Sequence, residues 1–570
     1  MGRRFTETER KYDIADAADV ADVADADATY ERLDLAGVAD TREEAPVRLD
    51  AVYYDTPALD LAAHRVTLRR RTGGDDAGWH LKLPTATADA RTEVHAPLGD
   101  AEADGAGDPD APPAELRAEV AALIRGRPLT PVVRLRTTRR RVLLLDASAS
   151  AGSSADIAAD IDAGAGAGAL AEIAYDEVTA DPGAQRWAEI EVELGRGDPA
   201  LLDAIEERLL AAGARPSASR SKLARALGDR VTPAPRPPRA LRTAGDVALA
   251  YLHAQYAALL ALDPAVRRAE EDAVHRMRVA TRRARSALKS FRRELDRTAT
   301  NPLGAELKWC AAALGGERDR EVLAERLHRR LAELDAELHA ASDAGPHAGP
   351  HAGPHAESDS QSSPLTAAAA DAARRRIGTY ATPDRTAPAR TPRANANASA
   401  TAGAPPEMAG ARYFALLDAF QALLAAPPYL RAAAAPAAPA AAAVLRRDHA
   451  RLRLGVEEAL ATDPGDARDT ALHEARKEAK RARYSAEAAE AVLGAEAAAH
   501  TTRMKQVQQL LGEHQDSVMC RTAVAALRAA AVAAGEDPAP YDAIIRRERA
   551  LAADAEARLP EVWQAARQAP

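Results

Sequence analysis

The chain has 570 residues and a formal net charge of −9, from 76 basic and 85 acidic side chains. This length is too great for one compact core, so we expect two or three domains. No apolar run is long enough to span a bilayer and the charged N-terminus is not a signal peptide, which together predict a soluble, cytoplasmic protein.

The first predicted element is a strand that carries Glu7, Glu9 and Lys11. Alternate residues of a strand share a face, so these side chains point to the same side. The same alternation recurs in later segments, whose charged members are Arg69, Arg71, Lys82, Glu189, Glu191 and Glu193. For any one strand, a charged face in water is the simpler interpretation. Across many strands the charged face holds both signs, with carboxylates in the first and last strands and cations in those between. This mixture favours a barrel interior in which metal ions and phosphates meet.

These motifs resemble the CYTH family, also called the triphosphate tunnel metalloenzymes, over residues 3–228. ExExK is the motif at Glu7–Lys11. The further matching segments are the Tyr-x-Asp-Thr-Pro turn in Val52–Pro57, the Arg-x-Arg pair in Leu68–Arg71, the strand lysine in His80–Leu83, Arg91–Glu93, and Thr137–Arg141. Arg139 is the arginine of the last segment that matches the motif, although the strand register also allows a neighbouring arginine.

The resemblance implies an antiparallel barrel with metal-dependent chemistry on a triphosphate. The residues that would hold the substrate oxygens are Arg69, Arg71, Lys82, Arg139 and Lys222. The residues that would hold one or two Mg²⁺ or Mn²⁺ ions are Glu7, Glu9, Asp176, Glu189 and Glu191. Lys11 would lie beside the metal site and, with Glu7 and Glu9, form the catalytic set.

One segment of biased composition is inserted in this first domain and another follows it. Residues 147–168 are rich in Ala, Gly, Ser and Asp, which predicts a flexible hairpin extension. Thr232–Pro238 is rich in proline, which predicts a stiff linker. We therefore divide the chain into a domain over 1–228, a linker over 229–242 and a helical domain over 243–565.

A basic helical block occurs twice in the second domain, about 200 residues apart: HRMRVATRRARS from His275, and HEARKEAKRARYS from His473. At about 100° per residue, offsets of 3, 7 and 10 stay on one side of a helix, so each copy carries a cationic stripe. The stripes are His275, Arg278, Arg282, Arg285 and Lys289, and His473, Arg476, Lys480 and Arg483. One such helix could be a solvated face, but the repetition and the scarcity of acidic partners on the first stripe favour a duplicated anion site.

A second matched pair follows each block, LKWCAAALGGERD (Leu307–Asp319) and MKQVQQLLGEHQD (Met504–Asp516), with Gln515 where the first copy has Arg318. These repeats resemble the CHAD family, the conserved-histidine α-helical domain, over residues 243–563. The resemblance implies a pseudo-symmetric pair of helical bundles that binds inorganic polyphosphate through charge-assisted contacts. The implied binding residues are His275, Arg278, Arg282, Arg285, Lys308, Arg318, His473, Arg476, Lys480, Arg483 and Lys505.

A low-complexity stretch over residues 341–406, with three AGPH repeats, is predicted to be disordered. Its His347, His351 and His355 could chelate a metal, although a composition-biased tract is the simpler interpretation. Cys310 and Cys520 provide no disulfide framework, so both are predicted to pack as small apolar residues.

The sequence thus predicts an α+β multidomain protein, with an N-terminal antiparallel β-barrel and a C-terminal all-α bundle pair. The predicted function is Mg²⁺- or Mn²⁺-dependent hydrolysis of inorganic triphosphate combined with polyphosphate binding in the cytoplasm. Alternatives are thiamine triphosphate hydrolysis, class IV adenylate cyclase activity, and a non-catalytic scaffold that binds polyphosphate or its granules. Net acidity and an aromatic content of 4% disfavour nucleic acid as a partner.

Overall fold

A computed structural model describes residues 3–14, 35–87, 89–98, 111–147, 168–343, 366–381 and 406–568. The chain divides into two compact units between Ala234 and Pro235, inside the proline-rich segment. None of the helices in these ranges combines the length and the apolar character that a membrane span requires.

The first unit is built on one antiparallel sheet. Its strands within the described ranges are β1 (Arg3–Asp13), β2 (Asp40–Asp55), β3 (Thr67–Thr72), β4 (Gly78–Pro84), β5 (Ala90–Pro97), β6 (Thr130–Leu145), β7 (Ala171–Asp181), β8 (Gln185–Leu194) and β9 (Arg215–Pro216). Their order is β5-β4-β3-β2-β6-β7-β8-β1-β9, and β1 also pairs with β5. This extra pairing closes the first eight strands into a barrel, which confirms the predicted fold of the N-terminal domain.

β1 closes the barrel by changing partner half-way along its length. Its first half pairs with β5, from Arg3 opposite His95 to Thr8 opposite Ala90. Its second half pairs with β8, and there Glu9 lies opposite Glu193. The motif strand is therefore the element that joins the two edges of the sheet.

The apolar faces of the strands point outward and are covered by helices. The helices of this unit within the described ranges are α1 (Asp60–Ala63), α2 (Ala114–Glu119), α3 (Ala121–Ile124), α4 (Pro199–Ala211) and α5 (Lys222–Leu227). Leu68 and Leu81 pack in one outer core with Leu116 of α2, and Ile173 packs in another with Ile205 of α4. Because burial of apolar surface is satisfied outside the barrel, the opposite faces of the strands are left to charged residues.

The second unit is helical. Its helices within the described ranges are α6 (Ala244–Arg267), α7 (Ala273–Ser290), α8 (Arg297–Ala313), α9 (Gly316–Asp343), α10 (Ala367–Ala381), α11 (Ala411–Ala425), α12 (Ala437–Ala461), α13 (Asp466–Leu493), α14 (Ala495–Ala533) and α15 (Ala539–Ala566).

The repeat in sequence is a repeat in structure, which confirms the pseudo-symmetric bundle pair. α7 and α13 carry the two basic blocks, and α6 and α12 precede them in the same order. The starts of α6 and α12 are linked by two reciprocal backbone hydrogen bonds, Ala244 N to Ala435 O and Ala437 N to Arg242 O, each 2.9 Å. The copies differ at the second motif, because Leu314 and Gly315 separate α8 from α9 whereas α14 is continuous.

The prediction of disorder over residues 341–406 is wrong for residues 367–381, which form α10. Ala373 and Ile377 of this helix are buried in a core with Leu327 and Leu331 of α9. Alanine-rich composition hid an apolar stripe that α9, α14 and α15 cover. The AGPH repeats, and residues 148–167 of the predicted hairpin extension, lie outside the described residues. Both cysteines are buried, as predicted.

Candidate active site and anion-binding surface

A charged cavity of about 750 Å³ lies inside the barrel. Nine of the site residues predicted from the sequence line it: Glu7, Glu9, Lys11, Arg69, Arg71, Lys82, Arg139, Glu191 and Lys222. Strand register places Arg3 and His95 together at one end and Lys11 with Glu191 toward the other. Lys222, the first residue of α5, reaches this second end and contacts Glu191 at 2.5 Å.

Lys82 joins two carboxylates in the middle of the cavity. Its ammonium donates to Glu7 Oε2 at 2.5 Å and lies 3.1 Å from Glu93 Oε2. Burial raises the pKa of Glu7, although Lys82 opposes that shift. Burial also disfavours ionisation of Glu93, but Lys82 and Arg69 outweigh it and hold the pKa of Glu93 at about 2. The site therefore holds a full negative charge beside a carboxylate that is costly to ionise.

Three arginines are crowded on the opposite wall. Arg71 is only 5% exposed. Burial and the neighbouring guanidinium groups of Arg69 and Arg139 lower the pKa of Arg71 to about 9. Arg69 donates to the Tyr53 hydroxyl at 3.3 Å, and Asp76 in the turn between β3 and β4 contacts Arg71. A buried guanidinium whose pKa is lowered by neighbouring cations, as that of Arg71 is, favours an anion beside it.

Two of the predicted metal ligands lie behind cations rather than at the cavity. Asp176 is 0% exposed and accepts from Arg139 at 2.8 and 2.6 Å. Lys222 lies 2.8 Å from Asp176 and 2.9 Å from Glu189, and Trp187 donates to Glu189 at 2.6 Å. In this arrangement the two carboxylates orient Arg139 and Lys222 toward the cavity.

In the second unit, the two motif arginines are each directed toward the aspartate of the following motif. Arg278 donates to both oxygens of Asp319 at 2.6 and 3.0 Å, and Arg476 lies 3.9 Å from Asp516. A Cβ on Gly315 would lie 2.8 Å from Arg278 Cζ, so the glycine lets the guanidinium lie close to the backbone here.

The central cations of α7 and α13 face each other between these two pairs. Arg282 Nε lies 3.4 Å from the Tyr484 hydroxyl, so the first stripe reaches the second helix. Burial, with Arg476 and Arg282, lowers the pKa of Lys480 to about 7. No carboxylate in the described part of the chain lies within 4 Å of Lys480. The two stripes therefore form one basic surface with an excess of positive charge at its centre.

Comparison with protein-family models matches a CYTH domain at residues 7–226 and a CHAD domain at residues 250–525. An uncharacterized protein of Mycobacterium tuberculosis is 35% identical over 574 residues, which cover 96% of this chain and 94% of that protein. The chain is a member of the CYTH and CHAD families. CYTH proteins are metal-dependent enzymes that typically use Mg²⁺ or Mn²⁺.

Solved structures of other proteins resemble parts of this CYTH–CHAD chain. PptA from Streptomyces chartreusis is 21% identical, with a TM-score of 0.41, and covers 56% of this chain and 99% of its own. The CHAD domain from Ricinus communis is 18% identical, with a TM-score of 0.39, and the match covers 59% of this chain and 96% of that domain's chain. The adenylyl cyclase candidate HpAC1 from Hippeastrum, with a dominant triphosphatase activity, is 16% identical, with a TM-score of 0.22, over 40% and 98%. Family membership rests on the sequence matches.

The CYTH cavity also contains residues that the sequence analysis left out of the site. Glu193 lies opposite Glu9, and burial with Glu7 raises its pKa well above the ordinary value. Arg141 and Glu172 line the cavity as well. The signal for each was present, because Glu193 continues the alternation of the EIEVE strand and Arg141 follows Arg139 at the same two-residue spacing.

The cavity carboxylates fit a divalent metal by their chemistry. Carboxylate oxygens are the donors that Mg²⁺ and Mn²⁺ prefer. Among the described residues no cation lies within 4 Å of the Glu193 carboxylate, and a divalent ion would compensate its charge together with those of Glu7 and Glu9. In the described structure Lys82 and Lys11 lie between the carboxylates, and no three of these side chains bring oxygens within 4.8 Å of one another. Glu7, Glu9, Glu191 and Glu193 are the side chains that face the cavity and could hold the ion.

On the CHAD surface, the outer members of the predicted set differ in their surroundings. His275, Lys308 and Lys505 are exposed. Arg483 is held by Glu487 at 3.0 Å. Arg285 is half-buried.

The motif histidine of the second copy is held by a neighbouring motif residue. His473 Nδ1 lies 2.5 Å from Gln515 Oε1. Gln515 thus replaces a cation with a hydrogen-bonding partner. The side chain of Arg318, its counterpart in the first copy, lies outside the described residues.

The CHAD surface also extends beyond the residues predicted from sequence. Burial, Arg481 and Arg285 lower the pKa of Lys289, and Arg451 on α12 lowers that of Arg292. Sequence spacing within α7 could not find Arg451, because it comes from a helix that precedes the second block.

Proposed function

We propose that the CYTH domain hydrolyses inorganic triphosphate with Mg²⁺ or Mn²⁺, and that the CHAD domain binds inorganic polyphosphate. The observation that carries the first part is the wall of Arg69, Arg71 and Arg139 facing a row of carboxylates across one cavity. A linear triphosphate would add negative charge beside the crowded guanidinium groups of Arg69 and Arg71. An ion held by the carboxylates would place positive charge beside Glu193.

The chain's own residues account for substrate binding and orientation. Arg69, Arg71 and Arg139 would neutralise the phosphate oxygens, and Lys82 and Lys222 would extend this contact along the tunnel. Because Asp176 holds Arg139 through two hydrogen bonds, its guanidinium is oriented before the substrate arrives. Preorganised positive charge of this kind stabilises the charge that develops on the leaving group during phosphoryl transfer. When bound, the metal would neutralise charge on the phosphoryl oxygens and make a water molecule more acidic.

The test of this proposal is phosphate release from inorganic triphosphate by the full chain, with Mg²⁺ or Mn²⁺ and with EDTA. Glu7→Gln with Glu9→Gln should lower kcat/KM by roughly 10²-fold or more, because both cavity carboxylates lose their charge. Glu177→Gln, on the exposed outer face of β7, is the matched control and should retain activity.

Two results would overturn the assignment. Equal activity in the double variant and in the control would show that the carboxylates have no role in turnover. No phosphate release from the wild type would exclude this substrate, and product assays with thiamine triphosphate and ATP would then distinguish the other enzyme functions from a binding scaffold.

The CHAD part of the proposal is supported by the surplus of charge where α7 meets α13. Arg282→Glu with Lys480→Glu should reduce polyphosphate affinity by roughly 10²-fold, while triphosphate hydrolysis is unchanged. Arg276→Glu with Arg546→Glu makes the same change in net charge at exposed positions off this surface and is the control. Equal losses in both pairs, measured by titration calorimetry, would reduce the surface to a nonspecific electrostatic effect.

A further inference from the structure

A cluster of three potential metal ligands lies in the second half of the CHAD domain, away from the basic stripes. Asp469 on α13, His514 on α14 and Glu556 on α15 each direct one ligand atom to a common point, and these atoms lie within 4.8 Å of one another. His514 Nε2 is 3.2 Å from Asp469 Oδ1 and 3.3 Å from Glu556 Oε1. The His514 ring is 2% exposed. Among the described residues, these three side chains form the group of potential metal ligands whose ligand atoms lie this close together.

The distances in the cluster match those between ligand atoms around one metal ion. Two ligand atoms each about 2.0–2.2 Å from a tetrahedral metal ion are about 3.3–3.6 Å apart. An ordinary N–H···O hydrogen bond is about 2.9–3.0 Å, and an N–H group shared between two oxygens makes two longer and weaker contacts. Both measured distances are longer than that ordinary value.

The outer oxygens of the two carboxylates are held separately. Arg521 donates to Asp469 Oδ2 at 2.9 Å, and Arg468 donates to Glu556 Oε2 at 3.1 Å. Each carboxylate therefore has one oxygen fixed by an arginine and its other oxygen turned toward His514. Hydrogen bonds to the far side of a ligand carboxylate are the usual means by which a protein orients metal ligands.

We propose that Asp469, His514 and Glu556 form a site for a first-row divalent metal ion, with Zn²⁺ as the preferred ion. One imidazole nitrogen and two carboxylate oxygens suit zinc, and the imidazole disfavours Mg²⁺ and Ca²⁺. Asp469 and Glu556 are 17% and 23% exposed, so a fourth position is open to solvent. The site joins three helices and is independent of the function proposed for either domain.

The site is present in one copy of the repeat. In the alignment of the two copies Glu271 occupies the position of Asp469, and Glu317 occupies that of His514. The first copy thus lacks the imidazole. His514 is followed directly by Gln515 and Asp516, which contact His473 and Arg476 of the basic stripe. The ion would therefore fix the segment of α14 that orients the second stripe.

The test is zinc binding by the full chain, purified without a histidine tag and with Glu7→Gln and Glu9→Gln to remove two of the four tunnel carboxylates that could hold an ion. Metal content after dialysis and titration calorimetry should show one more zinc equivalent than in His514→Ala or Asp469→Asn, with at least a roughly tenfold loss of affinity at that site. Glu513→Gln, on an exposed neighbour in α14, is the control and should bind like the parent. The AGPH histidines are identical in every variant, so they do not affect the difference.

Zinc should also raise the melting temperature of the parent and not that of Asp469→Asn, a variant of nearly unchanged size. Cobalt substitution gives an independent readout, because visible absorption bands should appear in the parent and be lost in both ligand variants. Equal zinc content in the parent and the folded Asp469→Asn variant would overturn the proposal. The cluster would then be a group of ion pairs that holds three helices together.

Discussion

At the scale of single residues, a cation gains its role from what surrounds it rather than from its position in a motif. Arg278 and Lys480 both belong to the basic stripes. Arg278 is neutralised by Asp319 through two hydrogen bonds, whereas no described carboxylate lies within 4 Å of Lys480. Burial with Arg476 and Arg282 lowers the pKa of Lys480 to about 7. The lysine in the centre of the surface is therefore the one whose charge depends on pH.

Polyphosphate binding should take up a proton at Lys480 near neutral pH. Lys480 faces Arg278 and Arg282 of α7, Arg476 of its own helix and Asp516 of α14. Its side chain is charged below pH of about 7 and neutral above it, and a bound polyanion favours the charged form. Affinity should consequently fall as pH rises from 6 to 8, and Lys480→Arg should flatten this dependence because arginine stays charged.

Calorimetry in two buffers of different ionisation enthalpy measures this proton uptake directly. The parent should take up a fraction of a proton on binding at pH 7.5, and Lys480→Arg should take up less. The same uptake in both proteins would show that another group titrates.

The sequence could predict which residues face the barrel interior, but not how deep each one lies. Alternation along β8 places Glu189, Glu191 and Glu193 on one face. Glu191 and Glu193 line the cavity, while Glu189 is covered by Lys222 from α5. A helix distant in sequence decides this difference, so spacing within one strand carries no information about it.

At the scale of secondary-structure elements, composition concealed one helix, whereas periodic patterns revealed the elements that carry the motifs. Strands with alternating charges and helices with a repeated basic block were predicted because their patterns are periodic. α10 lies in a stretch so rich in alanine and arginine that its apolar positions, Ala373 and Ile377, do not stand out. Its stability comes from the groove between α9, α14 and α15 rather than from its own propensity.

Truncation of Ile377 tests whether α10 is a structural part of the bundle. Ile377 is 0% exposed, so Ile377→Ala should cost about 2–5 kcal/mol in the free energy of opening of this region. Arg375→Ala, at an exposed position two residues earlier, should cost less than about 0.5 kcal/mol. Amide hydrogen exchange over α9 and α10 measures both changes locally, and equal protection in the two variants would show that Ile377 contributes no packing.

At the scale of the whole molecule, the chain combines two arrangements of charge, each of which we propose as a binding site for condensed phosphate. The barrel encloses both signs of charge in a cavity, and the bundle pair presents cations on a surface made by two repeats. The repeat was predictable because helical spacing preserves it in the sequence. The reciprocal hydrogen bonds between the starts of α6 and α12 were not, because backbone contacts leave no mark on side-chain pattern.

Closure of the barrel by β1 has a consequence for synthesis on the ribosome. Lys11 finds its partner Glu191 only 180 residues later in the chain. At about 5–20 residues per second, the ribosome completes β8 roughly 10–40 s after it has translated the N-terminal strand. During that interval the motif strand has neither of its charged counterparts from β8. Its alternating glutamates and lysine keep one face of this segment hydrated, and charged side chains on an unpaired strand disfavour pairing with other strands.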